Sequence, residues 1–176
     1  MMDGIRWNYR FFGTIAVLGF LASLVVHGMT FAGVDVMDGF PFAWLLHLGI
    51  FAVFVPFFLS ARAKYGSSAD PKLCFSESPP WAKWLALAVG AYAFVNFALF
   101  MHFNEGGVPE IENGKFVLKN HGAVIRPLTE SEYRLQNAYV ARGFSGHWLV
   151  FYLVPALYFL TQTPARREPS GSSGNV

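Results

Sequence analysis

Four stretches of this chain are long, apolar and free of Asp, Glu, Lys and Arg: residues 11–30, 42–60, 84–103 and 144–161. A helix needs about 20 such residues to cross a hydrocarbon core roughly 30 Å thick, and each stretch is close to that length. One such stretch fits the buried helix of a soluble domain; four within 176 residues do not. The overall balance agrees, since 54% of residues are hydrophobic and only 14% are charged, against roughly 25% charged in an ordinary soluble domain. The expected fold class is therefore all-α membrane: a four-transmembrane-helix bundle with the lipid bilayer as its surroundings. Residues 1–163 would form that membrane domain. Arg6 and Arg10 precede the first stretch as they would precede a signal peptide. Its apolar run exceeds the usual ~7–15 residues and no small-x-small cleavage site follows, so it reads as a retained helix.

The basic residues give the chain a direction. Arg6 and Arg10 lie before the first span, and Arg62, Lys64, Lys72 and Lys83 lie in the second connection, 61–83. Arg166 and Arg167 follow the last span, while the first connection, 31–41, holds Asp35 and Asp38 and no basic residue. Cytoplasmic connections carry the excess of Lys and Arg. Both termini and the middle connection are therefore expected in the cytoplasm. The third connection, 104–143, balances five Lys/Arg against five Glu and is long enough to be ordered by its own contacts. Trp7, Tyr9, Trp81, Trp84 and Trp148 fall near span ends, where interfacial aromatics collect. The last residues, 164–176, are rich in Pro, Gly and Ser and read as a disordered cytoplasmic tail. A net charge of +2 gives no case for nucleic acid as a partner. The single cysteine, Cys74, excludes an internal disulfide.

The third connection predicts a small β-hairpin followed by a helix, inserted between the third and fourth spans on the extracytoplasmic side. Asn113-Gly114 separates the runs 109–112 and 115–119, and this pair accepts the positive φ of a two-residue turn. Asn120-His121-Gly122 predicts a second turn, with a third strand over 123–126. Thr129 precedes Glu132 at capping-box spacing, so a helix is expected over 130–141, lying on the membrane surface or on the hairpin and turning at Gly143 into the fourth span.

Two segments, NGKFVLKNHGAVIRPLTESEY and RGFSGHWLVFY, resemble a family of small bacterial multi-pass inner-membrane proteins of uncharacterised function. The likeness covers about a quarter of the chain. It implies an inner-membrane location, with the third connection facing the periplasm.

The histidines are the one chemical pattern. His27, His47, His102 and His147 lie one per span, all toward the extracytoplasmic ends, and His121 lies in the third connection. His27 continues a stripe of Ala16, Gly19 and Ser23, and His102 continues one of Ala88, Ala91 and Ala98. Small residues at helical spacing let membrane helices approach closely, so both stripes predict inward-facing histidines. Converging imidazoles suit Zn, Cu or haem iron. His27 and His102 are then the first candidate ligands and His47 and His147 the next. Against this stands the interfacial reading, in which histidines near span ends bond to their own neighbours. No two histidines have local ligand spacing, and no carboxylate lies inside a span as proton-coupled transporters place one. Ser145 and His147 are two residues apart and face different sides of a helix, so they make no nucleophile–base pair. Tyr92 and Asn96, one turn apart, are expected to bond to another helix. The sequence thus favours a non-enzymatic membrane protein presenting a periplasmic loop module to a membrane or periplasmic protein partner. The alternative is a metal- or haem-binding protein of electron transfer or metal handling.

Overall fold

A computed structural model describes residues 8–66 and 70–162. The expected tail over 164–176, together with Arg6 and Trp7, lies outside the described residues. Four helices are long and apolar enough to cross a membrane. Helix α1 spans Tyr9–Phe31, begun by Asn8, whose side chain accepts the Phe11 amide at 3.1 Å. A short helix α2, Val36–Gly39, and one 3-10 turn lead into α3, Trp44–Tyr65. Gly66 ends α3 with φ +88°, a conformation that suits glycine. Helix α4, Pro71–Cys74, is a single turn. Helix α5, Pro80–Phe103, starts with Pro in its first turn, where no amide partner is needed.

The three-stranded antiparallel sheet follows, in order β1 (Val108–Glu112), β2 (Lys115–Asn120) and β3 (Ala123–Pro127). Asn113 and Gly114, at φ 51° and 72°, form the first turn, and His121 and Gly122, at 47° and 84°, the second. The register pairs Ile111 with Phe116 and Pro109 with Leu118, with a shift at Leu118/Lys119 in the β2–β3 pair.

Helix α6 departs from expectation. It runs unbroken over Glu130–Thr161, 32 residues or about 48 Å, so the separate surface helix with a turn at Gly143 is not formed. The reason is packing. A Cβ at Gly143 would lie 2.6 Å from the Phe100 ring, and one at Gly146 would overlap the Asn96 side chain. Both glycines are therefore the points where α5 closes on α6, and neither is a hinge. The Thr129–Glu132 capping box does form: Glu132 N donates to Thr129 Oγ1 at 3.2 Å and Thr129 N to Glu132 Oε2 at 2.7 Å.

Helix α6 packs against each of the other three long helices, while α5 packs chiefly on α6. Burial follows this arrangement. Trp148, Pro155 and Tyr158 on α6 are fully buried, whereas Leu18, Leu21 and Val25 on α1 and Leu87, Phe94 and Val95 on α5 are exposed. A soluble protein hides such side chains; an outward apolar face is what lipid requires. Trp148 was expected at an interface and is instead wholly buried.

Hydrogen bonds gather the helix ends into two sets. At one end Tyr9 Oη lies 2.9 Å from Ser60 Oγ and 3.3 Å from Tyr158 Oη. There also Tyr65 donates to Gln162, and Gln162 to Ser78. At the other end Asn137 donates to Asp35 at 2.8 Å. The start of α1, the α3–α5 connection and the end of α6 thus share one end, as alternating spans require. Cys74 is buried there, and burial pushes its thiol up.

Replacing Gly114 with Val forces a β-branched residue to φ +72°, which such residues tolerate poorly. We expect faster proteolysis within residues 108–127 and unchanged membrane insertion. Unchanged protease resistance would show that the sheet does not depend on this turn.

Candidate functional site

A connected set of polar side chains, from the buried His27 and Ser145 to the exposed Tyr92, lies where α1, α5 and α6 meet. His27, Ser23 and Thr30 come from α1, Tyr92 and Asn96 from α5, and Arg142 and Ser145 from α6. The stripe of Ala16, Ser23 and His27 does face inward: all three are buried. Tyr92 and Asn96, one turn apart, bond across to other helices as expected, Tyr92 to His27 and Asn96 Nδ2 to the Arg142 carbonyl at 3.0 Å.

His27 uses both ring nitrogens. Nε2 meets the Tyr92 hydroxyl, and Nδ1 lies 2.7 Å from Ser145 Oγ. Ser145 Oγ in turn lies 3.3 Å from the Arg142 carbonyl, which only accepts. One polarity satisfies every member: Tyr92 donates to Nε2, Nδ1–H donates to Ser145, and Ser145 donates to the carbonyl. For a neutral imidazole this places the proton on Nδ1, inferred from the network. It also leaves Ser145 with its hydroxyl proton committed to backbone and no exposure, the reverse of an activated nucleophile. Ser23, one turn before His27, is fully buried and its Oγ makes no hydrogen bond.

Arg142 closes the set. Its Nη2 donates to the Thr30 carbonyl at 2.6 Å and its Nε to Thr30 Oγ1 at 3.2 Å. The Thr30 carbonyl, in the last turn of α1, also accepts from Gly33 N at 3.2 Å, so Arg142 adds a second bond there and caps one helix from another. The guanidinium carbon stands 4.3 Å from the Phe31 ring centre and 5.4 Å from that of Tyr139. Beside it is a cavity of about 120 Å³ lined by Tyr92, Asn96, Leu99, Phe100, Phe103 and Arg142, among others. Arg142 was legible in sequence only as part of one helix face; its reach to α1 depends on interhelical register, which no local pattern carries.

The other histidines do not join His27. His47 Nδ1 accepts from Trp148 Nε1 at 3.0 Å. His147 Nδ1 donates to the Gly143 carbonyl at 2.9 Å, with its ring against Phe97. His102 is exposed, as are Ala88, Ala91 and Ala98, so the stripe expected to turn it inward faces out. Alanine suits a lipid-facing surface as well as a helix contact; the buried side of α5 is marked by Ala82, Ala93 and Asn96 instead. His121 sits exposed in the second turn of the sheet. Ligands must place ring nitrogens about 2.0–2.1 Å from one ion, and His27, His47 and His147 instead bond separately in three different neighbourhoods. Among the described residues no group of three or more His, Cys, Asp or Glu is placed to share a metal ion. The expected convergence of His27, His102, His47 and His147 on Zn, Cu or haem is therefore not what the fold builds.

The histidines should accordingly be unequal. His27→Leu strands the Tyr92 hydroxyl and should cost about 1–2 kcal/mol, read as a lower unfolding temperature in detergent. His102→Leu should change stability by less than about 0.5 kcal/mol. Equal losses at all four span histidines would contradict this assignment. Compared with known proteins, the chain matches no family model, no curated protein and no solved structure.

Proposed function

We propose that this chain is a non-enzymatic component of a bacterial inner membrane that holds a rigid extracytoplasmic module toward a partner protein. The module is the sheet together with the first half of α6. The observation that carries the reading is the continuity of α6, whose N-terminal half seats the sheet and whose C-terminal half is the most buried of the long helices. A module joined in this way keeps a fixed angle to the membrane, which suits docking and gives nothing to a tethered flexible loop.

The sheet is fastened to α6 by specific contacts. Phe116 packs on Tyr133 with ring centres 4.8 Å apart. Arg126 on β3 bridges Glu105, just after α5, at 2.9 and 3.1 Å and Glu132 on α6 at 2.9 Å. The module also exposes Val108, Ile111, Val124, Ile125 and Leu135. Val108 and Val124, each paired with Lys119, put two exposed apolar side chains on one face of this polar unit, which favours a protein partner. The orientation is supported by Arg62, Lys64, Lys72 and Lys83 at one end and Asp35 and Asp38 at the other.

The Arg126 contacts give the module a pH dependence. Hydrogen bonds from Arg126 hold the Glu105 carboxyl below its usual range, and bonds from Thr129, then Arg126, do the same for Glu132. A depressed carboxylate stabilises the fold above its ordinary value of 4.5 and loses that contribution as pH falls through the folded value. Protection of the β3 amides, taken relative to the intrinsic exchange rate at each pH, should therefore be high at neutral pH and fall as pH drops through the depressed carboxylate values. In Arg126→Gln protection should be low at both; an acid response that survives this substitution would show that the Arg126 bridges do not cause it.

The proposal itself is tested in intact cells. In a Cys74→Ser background, chosen because Cys74 is buried, Lys115→Cys, at an exposed position, should react with an impermeant thiol reagent and Lys72→Cys should not. A photo-crosslinker at Val124 should give one discrete protein adduct that Val108→Asp abolishes. Labelling at position 72, or adducts to lipid alone, would defeat the reading.

A further inference from the structure

The cavity beside Arg142 has a chemistry that the module does not explain. Its walls are apolar on the α5 side, through Val95, Leu99, Phe100 and Phe103, and cationic at one edge, through Arg142. Among the described residues no carboxylate lies within ion-pair distance of Arg142, although every one of the six ion pairs found elsewhere has both partners. Its Nε and Nη2 are spent on Thr30, and Nη1 has no acceptor among the described residues. Asn96, buried on the cavity wall, uses Nδ2 for one bond, to the Arg142 carbonyl, and that nitrogen carries a second hydrogen. The lining thus offers donors and a positive charge and no negative one.

A cation at the edge of an apolar site costs free energy until an anion joins it. A planar guanidinium held from behind by Thr30 and stacked on Phe31 and Tyr139 presents its remaining N–H groups in the fork that suits phosphate or carboxylate oxygens. Size and surroundings narrow the choice. About 120 Å³ compares with the ~150 Å³ engineered cavity that admits benzene, so a headgroup or a few methylenes fit and a whole lipid does not. Val95, Leu99 and Phe103 are half-exposed on the outward face of α5, which leaves a path along which an acyl chain can lie in the bilayer. Thr30 and Phe31 also end α1, placing Arg142 at the level where a span gives way to headgroups. We propose that Arg142, Asn96 and the α5 wall form a binding site for the phosphate of an anionic phospholipid, with its tail against Leu99 and Phe103.

Native mass spectrometry of the full chain released from nanodiscs tests this, using phosphatidylglycerol, phosphatidylcholine and inorganic phosphate as separate probes. Phosphatidylglycerol should be retained at least about tenfold more tightly than phosphatidylcholine, and millimolar inorganic phosphate should not displace it. Arg142→Gln should lose most of that preference. Because Arg142 also caps α1, Leu99→Trp provides a second variant: it fills the cavity from an exposed position, keeps the guanidinium, and should weaken the lipid about tenfold at unchanged thermal stability. Equal retention of the two lipids, full retention in Leu99→Trp, or displacement by inorganic phosphate would each overturn the proposal. The last result would assign a free-phosphate site.

Discussion

Between helices that face lipid, the hydrophobic effect supplies little attraction, and association depends on close packing and hydrogen bonds. In this chain nearly all of both is collected on α6. Gly143 and Gly146 let Phe100 and Asn96 of α5 approach, and Gly19 of α1 and Gly49 of α3 make room for the Tyr152 ring and hydroxyl. Tyr152 then donates to the Leu46 carbonyl at 2.7 Å, and Trp148 to His47. Polar side chains that would be expensive in hydrocarbon are spent on α6 contacts: His27 and Thr30 from α1, Tyr9 and Ser60 near the other end. Removing α6 would leave α5 with almost nothing to pack on.

The same helix couples two functions of the fold. Its first half carries the sheet, through Phe116–Tyr133 and the Arg126 bridges, and Arg142 and Ser145, further along, bind the end of α1. Arg142 lies at that joint. It touches Thr30, Phe31 and Tyr139 at once, so an anion settling on its free edge would meet a side chain already fixed by three neighbours. The module above and the cavity beside it therefore share one continuous helix.

Much of the architecture was legible in residues whose meaning is local. Asn113-Gly114 marks a turn wherever it occurs between extended runs, and Thr129 with Glu132 marks a helix start; both features are present. Three of the four apolar stretches became helices with bounds shifted by a few residues, and the fourth became the C-terminal part of the longer α6. What failed depends on partners. Gly143 looks like a break because glycine weakens an isolated helix, but a neighbouring ring rewards the missing side chain. Ala88, Ala91 and Ala98 look like a contact stripe by the same rule that correctly placed Ala16, Ser23 and His27, and only the buried polar Asn96 distinguishes the true inner face of α5. The Ser145–His27 bond joins residues 118 apart, so the site could not be seen from spacing within either segment. The histidine pattern drew attention to the right end of the molecule and to one residue, His27, that belongs to its polar centre.

The central claim is that α6 is one unbroken helix joining the module to the membrane domain. Residue-resolved hydrogen exchange across positions 136–150, in nanodiscs, tests it most directly. Continuous slow exchange through Gly143 and Gly146 is the predicted result. A fast-exchanging gap at those glycines, with protected segments on either side, would restore a hinge between a surface helix and a separate span and contradict the account.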